Sequence, residues 1–136
     1  MIDEETVAAL FAAGSAVREN AYAPYSGFRV GAALVTSDGA IHAGCNVENA
    51  AYPVGSCAEA GAISAMAGSG ARRLAAILVL GEGDALCTPC GACRQRIREF
   101  AAGDAVVLVA GPEGVRRRFT VADLLPESFG PDNLGR

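Results

Sequence analysis

Residues 74–110, LAAILVLGEGDALCTPCGACRQRIREFAAGDAVVLVA, contain the pattern that decides the fold class. Leu74 to Leu80 is a continuous apolar run of strand length, which is typical of a strand buried on both faces of a sheet. Gly91 to Ala101 predicts a helix, and Ala105 to Ala110 predicts a second buried strand. Strands that alternate with helices favour the α/β class.

The segments around this stretch add a hairpin and further helices. The expected elements are, in chain order, a helix at 4–20, a strand at Arg29 to Thr36, a hairpin turn at Ser37-Asp38-Gly39, a strand at 40–46, a helix at 57–69, a strand at 115–119 and a short last helix capped by Thr120. We therefore expect a central sheet covered by helices. The sequence contains no internal repeat or linker, so residues 1–136 are predicted to form one domain.

The charge of the sequence indicates which classes of partner to expect. The net charge is −4, from 11 basic and 15 acidic residues, whereas proteins that bind nucleic acid through its phosphates need a concentrated basic surface. The one basic run, Arg116-Arg117-Arg118, is better explained as a solvated strand edge. We therefore expect no nucleic-acid polymer as a partner.

The N-terminal sequence and the cysteines indicate the cellular compartment of the protein. Residues 3–5 are acidic where a signal peptide would be basic, and no apolar run approaches the roughly 18 residues of a membrane span. We therefore expect a cytoplasmic protein without a membrane partner. Its five cysteines should then be reduced, and clustered thiols in such a protein indicate metal binding or catalysis rather than disulfides.

Two short segments contain the residues that indicate chemistry, Cys57-Ala58-Glu59 and Pro89-Cys90-Gly91-Ala92-Cys93. Cys57, Cys90 and Cys93 all fall at predicted helix starts, which lie along one edge of the sheet in an α/β fold. Three thiolates leave tetrahedral zinc one open position for water, as catalytic sites require. Glu59 lies close enough to exchange a proton with that water without binding the metal.

Two questions about this cluster remain open in the sequence. Cys87 is evenly spaced with Cys90 and Cys93, so a closed structural site of four thiolates is the alternative; we expect Cys87 instead to end the preceding strand as a small buried hydrophobe. Three thiolates and Zn²⁺ carry a formal charge of −1. Helix N-termini offset negative charge, and Arg94, next to Cys93, is a candidate for offsetting more.

At these residues the sequence resembles the cytidine deaminase family, in particular its short-chain, homotetrameric type. The zinc-deaminase signature itself is a described pattern with a three-cysteine variant. Further matching motifs, in the same order as in the family, are Tyr25-Ser26-Gly27-Phe28, Val30-Gly31-Ala32-Ala33-Leu34, Gly44-Cys45-Asn46-Val47-Glu48-Asn49-Ala50 and Leu124-Leu125-Pro126-Glu127-Ser128-Phe129-Gly130-Pro131. The resemblance covers about residues 21–131.

The resemblance implies a three-layer α/β/α fold with a central mixed five-stranded sheet. It implies Cys57, Cys90 and Cys93 as ligands of one Zn²⁺ per subunit and Glu59 as the proton shuttle. The implied reaction is hydrolytic deamination of free cytidine and 2′-deoxycytidine to uridine and 2′-deoxyuridine, with release of ammonia, in pyrimidine salvage. The implied assembly is a homotetramer whose sites are shared between subunits.

The resemblance also implies a set of substrate contacts. Asn46 and Glu48 match the pair that binds the sugar hydroxyls, and side chains two apart on an extended segment do point the same way. Phe28 matches the aromatic that packs against the pyrimidine, although an isolated Phe is more typical of a core. The remaining implied contacts are Ala58, the backbone carbonyl of Thr88 for the leaving amine, and Tyr52 and Phe129 at a subunit boundary.

One position departs from the family. The residue directly after the catalytic Glu is commonly Arg, which helps neutralise the thiolates, and here it is Ala60. This departure raises the question of how the site balances its charge. His42, the single histidine, lies away from the motifs and is expected to be structural.

Three other functions fit parts of the pattern. A deaminase of nucleoside antibiotics of the blasticidin type would share both cysteine motifs, but the Asn46–Glu48 pair and the tail at 124–131 favour a ribonucleoside or deoxyribonucleoside. A zinc-stabilised binding module would not need Glu59. A deaminase that edits polynucleotides is disfavoured by the acidic charge.

Overall fold

Five strands form a mixed sheet at the centre of the fold. The computed structural model describes residues 2–136, so Met1, the first residue of the predicted domain, lies outside the description. The strands are β1 (Gly31–Thr36), β2 (Ile41–Cys45), β3 (Leu74–Leu80), β4 (Ala101–Gly111) and β5 (Gly114–Thr120). Their order across the sheet is β2-β1-β3-β4-β5, with β3 and β4 parallel and every other neighbouring pair antiparallel.

Helices cover both faces of the sheet. On one face, α1 (Glu4–Arg18) packs Val7 and Leu10 against apolar side chains of β1, β3 and β4. The opposite face is covered by α2 (Ala58–Gly68), α3 (Gly91–Phe100) and α4 (Val121–Leu124). The predicted three-layer α/β/α arrangement and the mixed five-stranded sheet are therefore confirmed.

Local sequence explains where several elements begin. The Asp3 carboxylate accepts a hydrogen bond from the Thr6 amide at 2.8 Å and so caps α1. As predicted, Thr120 caps the last short helix, in a reciprocal capping box with Asp123. Strand β3 is almost wholly buried because sheet neighbours lie on both sides and helices on both faces, which accounts for its unbroken apolar run.

The predicted boundaries need small corrections. The first helix ends at Arg18 rather than residue 20, and β1 begins at Gly31 rather than Arg29. Strand β4 is longer than the predicted 105–110, since it begins at Ala101 and ends at Gly111. The added residues include Gly103 and Asp104, which are exposed and not apolar. The prediction depended on apolar character, so it did not extend the strand to them.

The prediction for Cys87 is wrong. Strand β3 ends at Leu80, and Cys87 lies six residues beyond Gly81 in the connection to α3. The strand stops there because β1, its antiparallel partner, begins at Gly31 opposite Leu80. Cys87 is half-buried and packs on the backbone of Gly81.

Strand β2 fixes the position of α2 through a close backbone approach. A Cβ atom at Gly44 would lie 2.4 Å from the Ala62 nitrogen and 2.7 Å from the Ala58 carbonyl oxygen. Only glycine allows the helix to pack so near the strand. The start of α2, which follows Cys57, is thereby set relative to the sheet edge.

The basic run predicted to be a solvated strand edge lies on β5, an edge strand of the sheet, as expected. Arg116 pairs with Glu113, and Arg118 pairs with Glu4. Within residues 2–136, no helix has both the length and the apolar character needed to cross a membrane.

Candidate active site

Three cysteine thiols from two helix starts converge at one edge of the sheet. Cys57 is the N-cap of α2, Cys90 is the N-cap of α3, and Cys93 lies in the first turn of α3. Their sulfur atoms all lie within 4.8 Å of one another. The predicted helix-start positions are confirmed, and the dipoles of both helices favour negative charge on the sulfurs.

The geometry of the cluster fits a zinc ion. Two sulfurs bound to one tetrahedral Zn²⁺ at 2.3 Å are separated by ~3.8 Å, and the Cys57 and Cys90 sulfurs are 3.8 Å apart. Three thiols on two rigid helices supply the soft donor set that zinc prefers. Cys87 and Cys45 are not part of the cluster, so the described residues provide three ligands and not a closed four-thiolate site.

The ionisation of the three thiols differs. Burial raises the pKa of Cys57 and, together with the nearby Glu59 carboxylate and the other two thiols, that of Cys93. Burial also opposes ionisation of Cys90, but hydrogen bonds from Cys93 and Cys57 outweigh it and lower the pKa of Cys90. Ionising all three sulfurs therefore requires a compensating positive charge.

Glu59 is a buried carboxyl beside the thiol cluster. It is the second residue of α2 and is only 4% exposed. Burial raises its pKa above the ordinary value, and contacts with Cys93 and Arg96 partly oppose that shift. A carboxyl whose pKa is raised toward neutrality is suited to both accepting and donating a proton.

The prediction that Arg94 offsets the thiolate charge is not supported, because its guanidinium makes its hydrogen bonds to other groups. Arg94 donates instead to the Pro89 carbonyl at 2.7 Å, the Leu124 carbonyl at 2.9 Å and the Thr88 hydroxyl at 3.1 Å. Through these hydrogen bonds Arg94 connects Thr88 and Pro89, which precede Cys90, to Leu124 of α4.

Arg96, which the sequence argument overlooked, donates to the Cys93 sulfur at 3.4 Å. Residues three apart share a helix face and adjacent residues do not. The spacing of Arg96 from Cys93 within α3 could therefore have identified it from the sequence alone.

A cavity of about 380 Å³ opens beside the cysteines and Glu59. Five of the predicted substrate contacts lie in its wall: Asn46, Glu48, Tyr52, Ala58 and Thr88. Its wall also includes Cys87, which the sequence argument had placed in the core. A second cavity of about 350 Å³ shares Glu48 and Tyr52 with the first and extends along Tyr25 and Ser26.

Asn46 and Glu48 hold the loop that precedes β1. The Asn46 amide accepts from the Val30 amide at 2.8 Å and donates to the Phe28 carbonyl at 2.9 Å. Glu48 accepts from the backbone amides of Tyr25 and Ser26 and from the Ser26 hydroxyl, and these bonds lower its pKa. Each side chain retains hydrogen-bonding capacity for a further polar group.

The predicted aromatic contacts are exposed side chains rather than part of a core. Phe28 is 42% exposed, Tyr52 74% and Phe129 59%. Tyr52 packs edge-on against Tyr25, with ring centroids 5.8 Å apart, and the Phe129 carbonyl accepts from Gln95 on α3. Phe28 and Phe129 are not among the residues that line the cavity of this chain. His42, as expected, lies away from the cluster, with its ring 3.4 Å from the Ser69 hydroxyl.

The comparisons with known proteins agree with this geometry. The family model described as "Cytidine and deoxycytidylate deaminase zinc-binding region" matches residues 5–109. The chain belongs to this deaminase family. A cytidine deaminase of Sporosarcina psychrophila is 43% identical over 125 residues, which is 92% of each chain. One from Mycobacterium tuberculosis is 41% identical over 116 residues, 85% of this chain and 84% of the relative.

Solved structures of cytidine deaminases have the same fold. A crystal structure of the Burkholderia pseudomallei protein superposes with a TM-score of 0.83 at 45% identity, over 94% of this chain and all of that one. The Mycobacterium tuberculosis structure gives a TM-score of 0.78 at 35% identity, over 96% and 99% of the two chains. Membership of the deaminase family, together with the three-thiol cluster, confirms two expectations: the chain is a zinc-dependent deaminase, and zinc is its cofactor.

Proposed function

We propose that this deaminase hydrolyses free cytidine and 2′-deoxycytidine to uridine and 2′-deoxyuridine, with release of ammonia. The observation that carries the proposal is a buried carboxyl, Glu59, between the three-thiol cluster and a cavity of nucleoside size. The relatives named above as cytidine deaminases support the substrate class. Pyrimidine salvage and a cytoplasmic location remain predictions.

In the proposed reaction the chain's own carboxyl moves the protons. Cys57, Cys90 and Cys93 would hold the zinc, which would supply a water of lowered pKa as the nucleophile for C4 of the pyrimidine. Glu59 accepts a proton from this water and delivers it to ring N3, which makes C4 more electrophilic. Glu59 then carries a proton to the exocyclic amino group, which leaves as ammonia.

The cavity wall offers a place for each part of a nucleoside. Ala58, in the first turn of α2 where backbone amides lack a carbonyl partner one turn earlier, lies in the wall of the same cavity. The Thr88 segment, held by Arg94, supplies a carbonyl for the leaving amine. We assign the sugar hydroxyls to Asn46 and Glu48, which also hold the loop carrying Phe28.

We further propose that four copies of the chain assemble and share their sites. Tyr52, Val54, Phe129 and Leu134 each expose more than half of their apolar side chains, between 59% and 74%. Such exposure is costly in an isolated chain and is relieved when neighbouring chains cover these side chains. In that assembly Phe129 would reach the site of a neighbouring copy.

The test is turnover of cytidine and 2′-deoxycytidine by the zinc-loaded protein, followed by ultraviolet absorbance and by chromatography of the uridine product. Glu59→Gln should retain zinc yet lose activity by a factor of roughly 10²–10⁴. Glu5→Gln, an exposed change in the first turn of α1, is the matched control and should be fully active.

Native mass spectrometry of the same preparation should give four chains and four zinc ions. A zinc-loaded wild type without turnover would refute the substrate assignment. Substantial activity in Glu59→Gln would refute the proton-shuttle role, and a monomer mass would refute the shared sites.

A further inference from the structure

The guanidinium of Arg96, an exposed residue of α3, contacts the cluster of Cys57, Cys90 and Cys93. Its Nη1 lies 3.4 Å from the Cys93 sulfur in a part-buried hydrogen bond, while the rest of the side chain is exposed. Cys93 itself has no exposed surface.

The charges around the cluster leave a deficit that Arg96 can meet. Three thiolates with Zn²⁺ sum to −1, and Glu59 is a further acidic group in the wall of the cavity beside them, itself buried. Ala60 contributes no charge, and Arg94 is bonded elsewhere. Arg96 lies 3.4 Å from the Cys93 sulfur, which is itself within 4.8 Å of the other two sulfurs.

We propose that Arg96 is the positioning residue that balances the charge of the zinc site, and that it does so through its contact with Cys93. The inference rests on the proposed ligand set and goes beyond it, because the three ligands and Glu59 would all be present without Arg96. A cation hydrogen-bonded to a thiolate stabilises the anionic sulfur and draws charge from it. The site then holds zinc more tightly while the metal stays a stronger Lewis acid.

Zinc retention, rather than turnover, is the direct readout. Titration of the zinc-loaded protein with a chromophoric chelator should show Arg96→Gln losing zinc about 10- to 100-fold more readily than the wild type, as is typical when a partner of a metal ligand is removed. Arg96→Lys, which keeps the charge, should restore most of the difference. Arg117→Gln makes the same charge change on the edge strand β5 and should bind zinc as the wild type does.

A spectroscopic measurement separates a lost contact from a misfolded site. In the Co²⁺-substituted protein the sulfur-to-metal charge-transfer band should move to longer wavelength in Arg96→Gln, because the sulfur lone pair loses a stabilising hydrogen bond. The visible bands of tetrahedral Co²⁺ should remain, which shows that the three ligands are still in place.

The outcomes distinguish this inference from the proposed function. A wild type that fails to bind zinc would refute the ligand set itself. Zinc retention in Arg96→Gln equal to that of the wild type would overturn the role of Arg96 alone. Loss of zinc in Arg96→Lys as large as in Arg96→Gln would overturn the charge argument.

Discussion

Gly44 on β2 allows α2 to lie against the sheet, and Gly44→Ala tests whether that contact sets the active site. The new methyl group would meet backbone atoms only, at 2.4 Å from the Ala62 nitrogen and 2.7 Å from both the Ala58 oxygen and the Gly61 carbonyl carbon. An ordinary contact is about 3.4 Å or longer. The helix must therefore move by roughly 1 Å, since no flexible side chain can give way.

The movement of the helix destabilises the protein in the same way as overpacking a core does. Such changes destabilise by roughly 1–3 kcal/mol, and the rigid backbone favours the upper end. For a chain of this length, ~3 kcal/mol lowers the unfolding midpoint by roughly 10 °C. Because Cys57 and Glu59 are at the start of the same helix, a 1 Å displacement should also lower kcat/KM by about 100-fold.

Thermal unfolding and cytidine turnover, both at one fixed protein concentration, measure the two effects. Gly68→Ala is the matched control, because its methyl group would meet nothing within 4 Å near the end of the same helix. That change should be neutral or stabilising by roughly 0.5–1 kcal/mol. A Gly44→Ala protein with the wild-type midpoint and wild-type turnover would refute the reasoning.

Two further predictions concern the thiols and Glu48. Cys90→Ser should lose stoichiometric zinc by metal analysis and Cys87→Ser should keep it, because only Cys90 belongs to the cluster; equal loss in both would contradict the ligand set. The hydrogen bonds from Ser26 lower the pKa of Glu48, so its contribution to stability is complete above the ordinary carboxyl pKa of ~4.3 and is lost as the pH falls through the lowered value. The difference in unfolding midpoint between wild type and Glu48→Gln should thus hold from about pH 8 to about pH 5 and shrink below it. A difference that disappears already near pH 6 would disprove this.

The fold class could be predicted because the hydrophobic pattern of the sequence agrees with the packing of the strands in the sheet. The unbroken apolar run at 74–80 is a strand with neighbours on both sides, and Thr120 caps a short last helix as predicted. The beginning of β4 could not be predicted in the same way. Pairing of Ala101 with Leu74 extends the strand through residues that carry no apolar signature.

Side-chain direction accounts for the errors at the site. Adjacency in sequence suggested Arg94 as the partner of the thiolates, but neighbouring residues on a helix point about 100° apart, and Arg94 binds Pro89 and Leu124 instead. The residue that does contact Cys93 is Arg96, one turn further along the same face. Cys87 was predicted to end the preceding strand as a small buried hydrophobe, yet it lies in the cavity wall.

By itself the sequence determined the α/β class, the three cysteines and Glu59 as candidates, and zinc as the cofactor, since each depends on residue type and spacing within one or two elements. Only the tertiary structure decided that Cys87 borders the cavity and that Asn46 and Glu48 also hold the loop before β1. Those contacts join segments far apart in the chain. They depend on how helices and loops are placed against the sheet, which no local pattern specifies.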